Sequence, residues 1–356
     1  MRGALRSVLL TPNLLGADGV SSLARQIVRA LPKPAAVLSL HDSLPDTDDR
    51  QGIEMHGADG SRATFLTAAF GISLRCSAST EIVCSHLHLS PAAALLAWRG
   101  GRVTTVLCGI EAWVPLRKPE AWALDGSSLV AISQHTVDRF KQANPAFASS
   151  DILVCHPGLP DRSAALKDAA LADGSPALIV ARMSADERYK GHDELLELWP
   201  RLLARRPEAR LVVAGEGSDR QRLESRARSL GVSHAVTFAG RVNDEELAAL
   251  YEQCRFLVMP SRDEGFGLVF VEAMRAGKAC IGARGAAAEI IQHDVTGLIV
   301  DAANVDELSA AVLRLFDEPA TCCRFGAAGR ERFLSTFTDM SFQARFARAI
   351  QPRPHA

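Results

Sequence analysis

Two carboxylates, Glu264 and Glu272, stand on either side of a glycine turn in the run Pro260-Ser-Arg-Asp-Glu-Gly-Phe-Gly-Leu-Val-Phe-Val-Glu-Ala-Met274. An apolar run, Phe256 to Met259, ends just before it and a helical pattern follows. Strand, glycine loop and helix in that order leave unpaired N–H groups and the positive end of a helix dipole at the carboxyl edge of a sheet, which is an anion site. Carboxylates beside an anion site suit hydroxyl donors, such as those of a sugar and a ribose. Upstream, Arg182 follows the apolar run Ala177 to Ala181, and Lys190-Gly191 precedes the helical pattern His192 to Trp199. Both cations therefore lie in one strand-to-helix loop at the same edge. Paired Arg and Lys at that place suit an anion.

The elements that must position these groups are legible as an alternation. Val8 to Leu10, Ala35 to Leu40, Glu81 to Cys84, Val103 to Leu107, Leu129 to Ile132 and Ile152 to Cys155 read as strands. Helix-like stretches such as Val20 to Leu31, Thr64 to Leu74, Pro91 to Trp98 and Thr136 to Ala143 lie between several of them. After a polar stretch, Asp161 to Ser175, the alternation resumes with Ala177 to Ala181, Leu211 to Ala214, Ala235 to Phe238, Phe256 to Met259, Ala279 to Ile281 and Leu298 to Val300. Strands separated by helices predict parallel sheets covered on both faces. The expectation is two doubly wound α/β domains, 1–165 and 175–337, with ligands bound in a cleft at the carboxyl ends of the strands. His41 to Arg62 reads as a long loop.

Composition bounds the function. The chain has 356 residues, 47% hydrophobic and 23% charged, with 40 Lys+Arg against 41 Asp+Glu and a formal net charge of -1. That is an ordinary soluble composition without the basic field that nucleic-acid binding needs. No apolar run approaches the ~20 residues of a membrane span, and the amino terminus lacks the pattern of a secretory signal. Eight cysteines without C-x-x-C spacing point to reduced thiols in a cytoplasmic protein and away from zinc or disulfide frameworks. Asp46-Thr47-Asp48 is a D-x-D, but it sits in the polar stretch beyond its strand and reads as solvated surface.

Glu264-x7-Glu272, followed by Gly277-Lys278, Gly285-Ala-Ala-Ala-Glu289-Ile-Ile and Thr296-Gly297-Leu298-Ile-Val300, resembles the E-x7-E element and succeeding segments of retaining, family 4 nucleotide-sugar glycosyltransferases with the GT-B fold. Ala279 stands where that family usually has proline. The resemblance implies that Glu264 holds hydroxyls of the donor sugar and Glu272 holds the ribose, while Phe266, Gly267 and Leu268 offer backbone amides. Arg182 and Lys190 face the diphosphate, and Arg241-Val242 borders the base. It further implies that the turn carrying Gly16 and Gly19 touches the donor phosphate. An ordinary tight turn accounts for those glycines equally, since the family's G-G pair is absent. Leu107-Cys108-Gly109-Ile110-Glu111-Ala112-Trp113 is similar to an H-G-x-E-x-W motif with Cys108 in place of histidine. His86 is a substitute for that histidine or a structural residue, and Glu111 a sugar contact or a helix cap. Ser133-Gln-His-Thr136 reads as a helix cap. The carboxyl-terminal residues 338–356 are implied to return to the first domain.

These readings converge on a hexosyltransferase that uses a nucleotide-sugar donor and a glycan or lipid-linked saccharide acceptor, with no metal or other cofactor. A nucleotide-sugar epimerase or hydrolase of the same fold, and an inactive sugar-nucleotide-binding protein, are the competing expectations. A dinucleotide enzyme is disfavoured, because Gly215-Glu-Gly217 lacks a third glycine at Arg220. Pro91 to Arg102, with Leu95, Leu96 and Trp98 beside Arg99 and Arg102, reads either as a core-facing helix or as a peripheral membrane helix at the inner face of a membrane.

Overall fold

A computed structural model describes residues 3–16, 18–44, 47–49, 52–161 and 174–351. The chain divides into two compact units, Met1–Gly158 with Asp339–Ala356, and Leu159–Thr338. The sequence-level boundary falls largely on 162–173, outside the described residues.

The first unit is built on β1 (Ser7–Thr11), β2 (Ala35–Ser39), β3 (Thr47–Asp49), β4 (Ile53–Gly57), β5 (Glu81–Cys84), β6 (Arg102–Leu107), β7 (Ser128–Ala131) and β8 (Ile152–Val154). Among the described residues they form an eight-stranded sheet in the order β3-β4-β2-β1-β5-β6-β7-β8, parallel except for the β3–β4 pair. Every residue of β1, β2 and β5 is buried. That is why these runs show no alternation: a parallel sheet covered on both faces needs apolar side chains on each. The covering helices are α1 (Gly19–Ala30), α2 (Arg62–Ser73), α3 (Ser90–Leu96), α4 (Lys118–Leu124) and α5 (Gln134–Ala143). In α1 the inward positions Leu23, Ala24, Ile27 and Val28 follow helical spacing. Ser133 caps α5 by accepting from the Thr136 amide at 3.0 Å.

The stretch expected to be a loop, His41 to Arg62, instead contains β3 and β4. Its Ile53-Glu-Met-His-Gly57 has too few apolar residues to announce a strand, yet β4 pairs along the whole of β2, and Ile53 is buried. Thr47-Asp48-Asp49 of the D-x-D region lies on the antiparallel strand β3, whereas Asp46 is outside the described residues.

The second unit carries β9 (Ala177–Val180), α6 (His192–Arg205), β10 (Leu211–Ala214), α7 (Arg220–Ser229), β11 (Val236–Gly240), α8 (Asp244–Gln253), β12 (Phe256–Met259), α9 (Leu268–Arg275), β13 (Ala279–Ala283), α10 (Ala287–Ile290), β14 (Gly297–Val300), α11 (Val305–Asp317) and α12 (Pro319–Thr336). Its strands run β11-β10-β9-β12-β13-β14, all parallel. Trp199 and Phe256 both meet Phe316 edge-on, at 6.5 and 5.0 Å, which locks α6 and α11 onto one sheet face. The last helix, α13 (Asp339–Ala349), belongs to the first unit. Its Phe342 and Phe346 are buried, and Asp339 accepts from Arg29 of α1 at 2.9 Å.

Strand order decides where each sheet can hold a ligand. In the second unit the winding reverses between β9 and β12, and in the first between β1 and β5. Loops leaving the carboxyl ends of two such strands turn to opposite faces and leave a crevice between them.

Candidate functional site

In the second unit the loops on the two sides of the switch point are those that hold Lys190 and Glu264. Lys190 Nζ lies 2.6 Å from Glu264 Oε1, with both side chains mostly shielded from water. The backbone joins the same loops, because the Arg262 amide donates to the Tyr189 carbonyl at 3.0 Å. Beyond Glu264, Phe266 is buried with its ring against Phe337 at 6.0 Å, while Gly265, Gly267 and Leu268 stay half-exposed. Gly267 begins α9 with φ +98, and a Cβ there would lie 2.7 Å from the Phe270 ring. Glycine is therefore required on two counts. No side chain among the described residues caps α9. Its first amides and its dipole end beside a lysine that a single carboxylate holds.

Arg182 occupies the same loop but is exposed, and its Nη2 donates to Glu187 Oε1 at 2.6 Å. Between the two ion pairs sits Tyr189. Burial pushes its phenol up to about 12, Glu187 and Glu264 add to the shift, and Arg182 opposes it. The loop is fixed from outside by a carboxylate–guanidinium chain. Arg188 pairs with Asp219 at 3.1 Å, and Arg222 bridges Asp219 and Asp193 at 2.6 Å each. The glycine turn after β10 closes over it: the Met183 amide donates to the Glu216 carbonyl at 2.9 Å, and a Cβ on Gly215 or Gly217 would collide with the carbonyl of Ala181 or Met183.

Glu272, one turn into α9, is half-buried. The Tyr251 hydroxyl of α8 donates to its Oε2 at 2.8 Å. Burial raises the pKa of both groups, and the Glu272 charge lifts the phenol further, so Tyr251 is the donor. Arg241 is exposed and reaches Glu216 at 3.5 Å, with Val242 half-buried beside it after β11.

The first unit gathers a second group at its own sheet edge. Cys108 ends β6 and its thiol donates to the Ser85 carbonyl at 3.0 Å, while its amide donates to Glu111 Oε1 at 2.8 Å. Burial drives the Cys108 thiol well above its ordinary value, so it is no nucleophile. His86, half-buried after β5, has its pKa lowered by burial, against the opposing charge of Glu111. The turn with Gly16 and Gly19 is filled by the chain's own carboxylates. Asp18 caps α1 through the Ser21 amide at 2.9 Å, and Asp42 accepts from the Leu14 amide. The anion position at the start of α1 thus holds Asp18, whereas at α9 the N-cap residue Gly267 has no side chain to fill the corresponding position.

Sequence reasoning passed over Tyr189, Glu187 and Tyr251, which orient the named charges. No motif announces them, since each is recognised by what it touches. It also passed over His192, at the start of α6. That ring is 5% exposed, its Nε2 has no partner among the described residues, and burial lowers its pKa to about 4 from an ordinary 6.5. Between those values the unfolded chain takes up a proton that the folded chain refuses, so this contribution to stability is intact above pH 6.5 and is lost as pH falls toward 4. His192→Gln is expected to lose about 2 kcal/mol less stability than the parent between roughly pH 7 and pH 5. Urea unfolding at both pH values measures this, and equal losses would refute it.

Residues 167–332 match the family model described as Glycosyl transferases group 1. The chain is 32% identical over 244 residues to the GDP-mannose-dependent monoacylated alpha-(1-6)-phosphatidylinositol monomannoside mannosyltransferase of Corynebacterium glutamicum, covering 64% of this chain and 62% of that one. It is 34% identical over 225 residues to the GDP-mannose-dependent alpha-(1-6)-phosphatidylinositol monomannoside mannosyltransferase of Mycobacterium tuberculosis, covering 58% and 57%. The chain thus spans less than two thirds of the length of either relative. Among solved structures, Anabaena HepE in complex with UDP superposes with a TM-score of 0.77 at 17% identity, covering 97% of this chain and 99% of that one. Sucrose-phosphate synthase from Thermosynechococcus elongatus superposes with a TM-score of 0.77 at 18% identity, covering 98% of each. The chain thus has two parallel-sheet Rossmann-like units with the fold of GT-B glycosyltransferases, and its second unit carries a Glycosyl transferases group 1 domain.

Proposed function

We propose that the protein is a retaining glycosyltransferase that moves a hexose from a UDP- or GDP-linked donor to a hydroxyl of a glycan or lipid-linked saccharide. The observation that carries this reading is the Lys190–Glu264 pair at the β9–β12 switch point, beside the uncapped start of α9. A diphosphate arriving there competes with Glu264 for Lys190. As the pyrophosphate takes up Lys190, with the α9 amides at Gly267 and Leu268, Glu264 is released to accept hydrogen bonds from the sugar hydroxyls. Arg182 adds charge by exchanging Glu187 for phosphate. Glu272, preset by Tyr251, accepts from the ribose hydroxyls, and Arg241 and Val242 border the base.

The chemistry is the breaking of the bond between the anomeric carbon and the phosphate oxygen. Negative charge grows on the leaving diphosphate, and fixed cations with oriented amides meet it without reorganisation. The acceptor hydroxyl attacks the face the diphosphate leaves, forming the new glycosidic bond with retained configuration. Its proton passes to a phosphate oxygen, so no protein base is required. In this reading Lys190, Arg182 and the helix dipole supply the charge that a divalent metal would otherwise provide, and chelator leaves the rate unchanged.

The names of the relatives support GDP-mannose as the first donor to test. The experiment mixes GDP-mannose, UDP-glucose and ADP-glucose in turn with the protein, with and without mannosylated and lipid-linked acceptors. Melting temperature and free sugar are followed together. Transfer that needs acceptor supports the reading. Free sugar released at the same rate without acceptor points to a hydrolase, and donor binding without product on any acceptor points to a binding protein.

A further inference from the structure

Two guanidinium groups meet at the amino edge of the second sheet without a shared counter-ion. Arg255, the residue before β12, is 7% exposed. Its Nη1 donates to the Phe316 carbonyl at 3.3 Å, and the guanidinium lies over the Phe316 ring at 5.9 Å. Its Nε has no hydrogen-bond partner among the described residues, and no carboxylate among them pairs with it. Arg206, at the end of α6, donates through Nη2 to the same Phe316 carbonyl at 3.2 Å. A buried charge is costly unless an opposite charge answers it, and a second cation on the same oxygen adds repulsion.

The acidic groups nearby are already taken. Arg206 pairs with Asp317 at 2.5 Å and with Glu208 at 2.8 Å, and the Arg210 charge also acts on Glu208. Three guanidinium groups thus face two carboxylates, and the buried Arg255 is the one left over. Beside it lies a cavity of about 130 Å³, lined by Ser175, Arg206, Glu208, Arg255 and Phe316 among others. That is well above the roughly 15 Å³ a single water needs and below the roughly 300 Å³ where pockets for drug-sized ligands begin. Water satisfies N–H groups but supplies no charge. A small oxyanion supplies both, and its several acceptor oxygens match the guanidinium fork.

We propose that this cavity binds free phosphate, with Arg255 and Arg206 donating to its oxygens. The site is separate from the candidate donor crevice, because Ser175 and Arg255 precede β9 and β12, whereas Lys190 and Glu264 follow the same two strands. It is therefore independent of which donor or acceptor the protein uses.

The probe is inorganic phosphate, titrated into the full chain at constant ionic strength against chloride and followed by calorimetry and melting temperature. Lys190→Ala serves as the background, because it removes the cation best placed to hold phosphate at the other edge of the sheet. In that background phosphate binds and raises the melting temperature above its value in chloride. Adding Arg255→Met weakens binding at least about tenfold, the scale of a lost charged hydrogen-bond donor. It trades an unpaired buried charge for an apolar chain of similar length, a change that proteins tolerate. Arg206→Gln, at a half-exposed position, weakens binding as well and keeps the test open should the methionine variant not fold. Undiminished phosphate binding in either variant, or no effect of phosphate beyond that of chloride in the Lys190→Ala background, would overturn the proposal.

Discussion

Lys190→Ala is expected to lower kcat/KM for sugar transfer by about a thousandfold, the scale on which a fixed group stabilising transition-state charge acts. The ammonium lies 2.6 Å from Glu264, mostly out of water, so nothing bulk solvent supplies can take its place beside a diphosphate. Because the interaction strengthens as the bond breaks, most of the loss falls in kcat and less in KM. Glu264→Ala is expected to remove most transfer as well, through lost positioning of the sugar and a lysine left without its partner. Both residues follow completed strands, so circular dichroism keeps its native form, while removing one member of a mostly shielded ion pair lowers the unfolding transition. Initial rates with a saturating donor check this, and near-normal turnover in either variant would remove these residues from the mechanism.

Gly215→Ala should produce a large structural effect for a single added methyl group. Its φ is +139, and the added Cβ would run into the carbonyl of Ala181, a residue whose amide already donates to the Ala214 carbonyl at 3.0 Å. Neither neighbour is a flexible side-chain tip, so the backbone of one loop must move. A strained backbone and a forced main-chain contact together cost about 3 kcal/mol. For a unit of this size that lowers the melting temperature by roughly 10 °C. Transfer falls alongside stability, since the displaced segment carries Arg182. A melting temperature within about 2 °C of the parent would show that the loop is looser than its packing implies.

Much of the fold was legible because parallel strands buried on both faces cannot hide their apolar runs. β1, β2, β5, β9, β10 and β12 all read directly. β3 and β4 did not, since a strand toward the sheet margin needs few apolar side chains, and β4 has Glu54 and His56 where a central strand has Val or Ile. Along the site, the sequence placed Lys190 and Glu264 in loops at one sheet edge because the strand-loop-helix order dictates it. That the two meet as an ion pair could not be read, because the contact spans 74 positions of chain. The partners of Arg182 and Glu272 were invisible for a related reason. Glu187 and Tyr251 are ordinary residues whose function comes entirely from what lies beside them. The Gly16–Gly19 turn shows the converse, since its glycine pattern suggests an open anion site while Asp18 and Asp42 take its amides.

The central claim is that Lys190 and the start of α9 receive a pyrophosphate. Calorimetric binding of GDP and UDP, compared with guanosine and uridine, isolates that contribution from recognition of the base. The account predicts that one of the two diphosphates binds the parent protein much more tightly than its nucleoside, and that Lys190→Ala erases most of this difference while leaving nucleoside affinity unchanged. Equal affinity for diphosphate and nucleoside, or an undiminished diphosphate preference in Lys190→Ala, would contradict it.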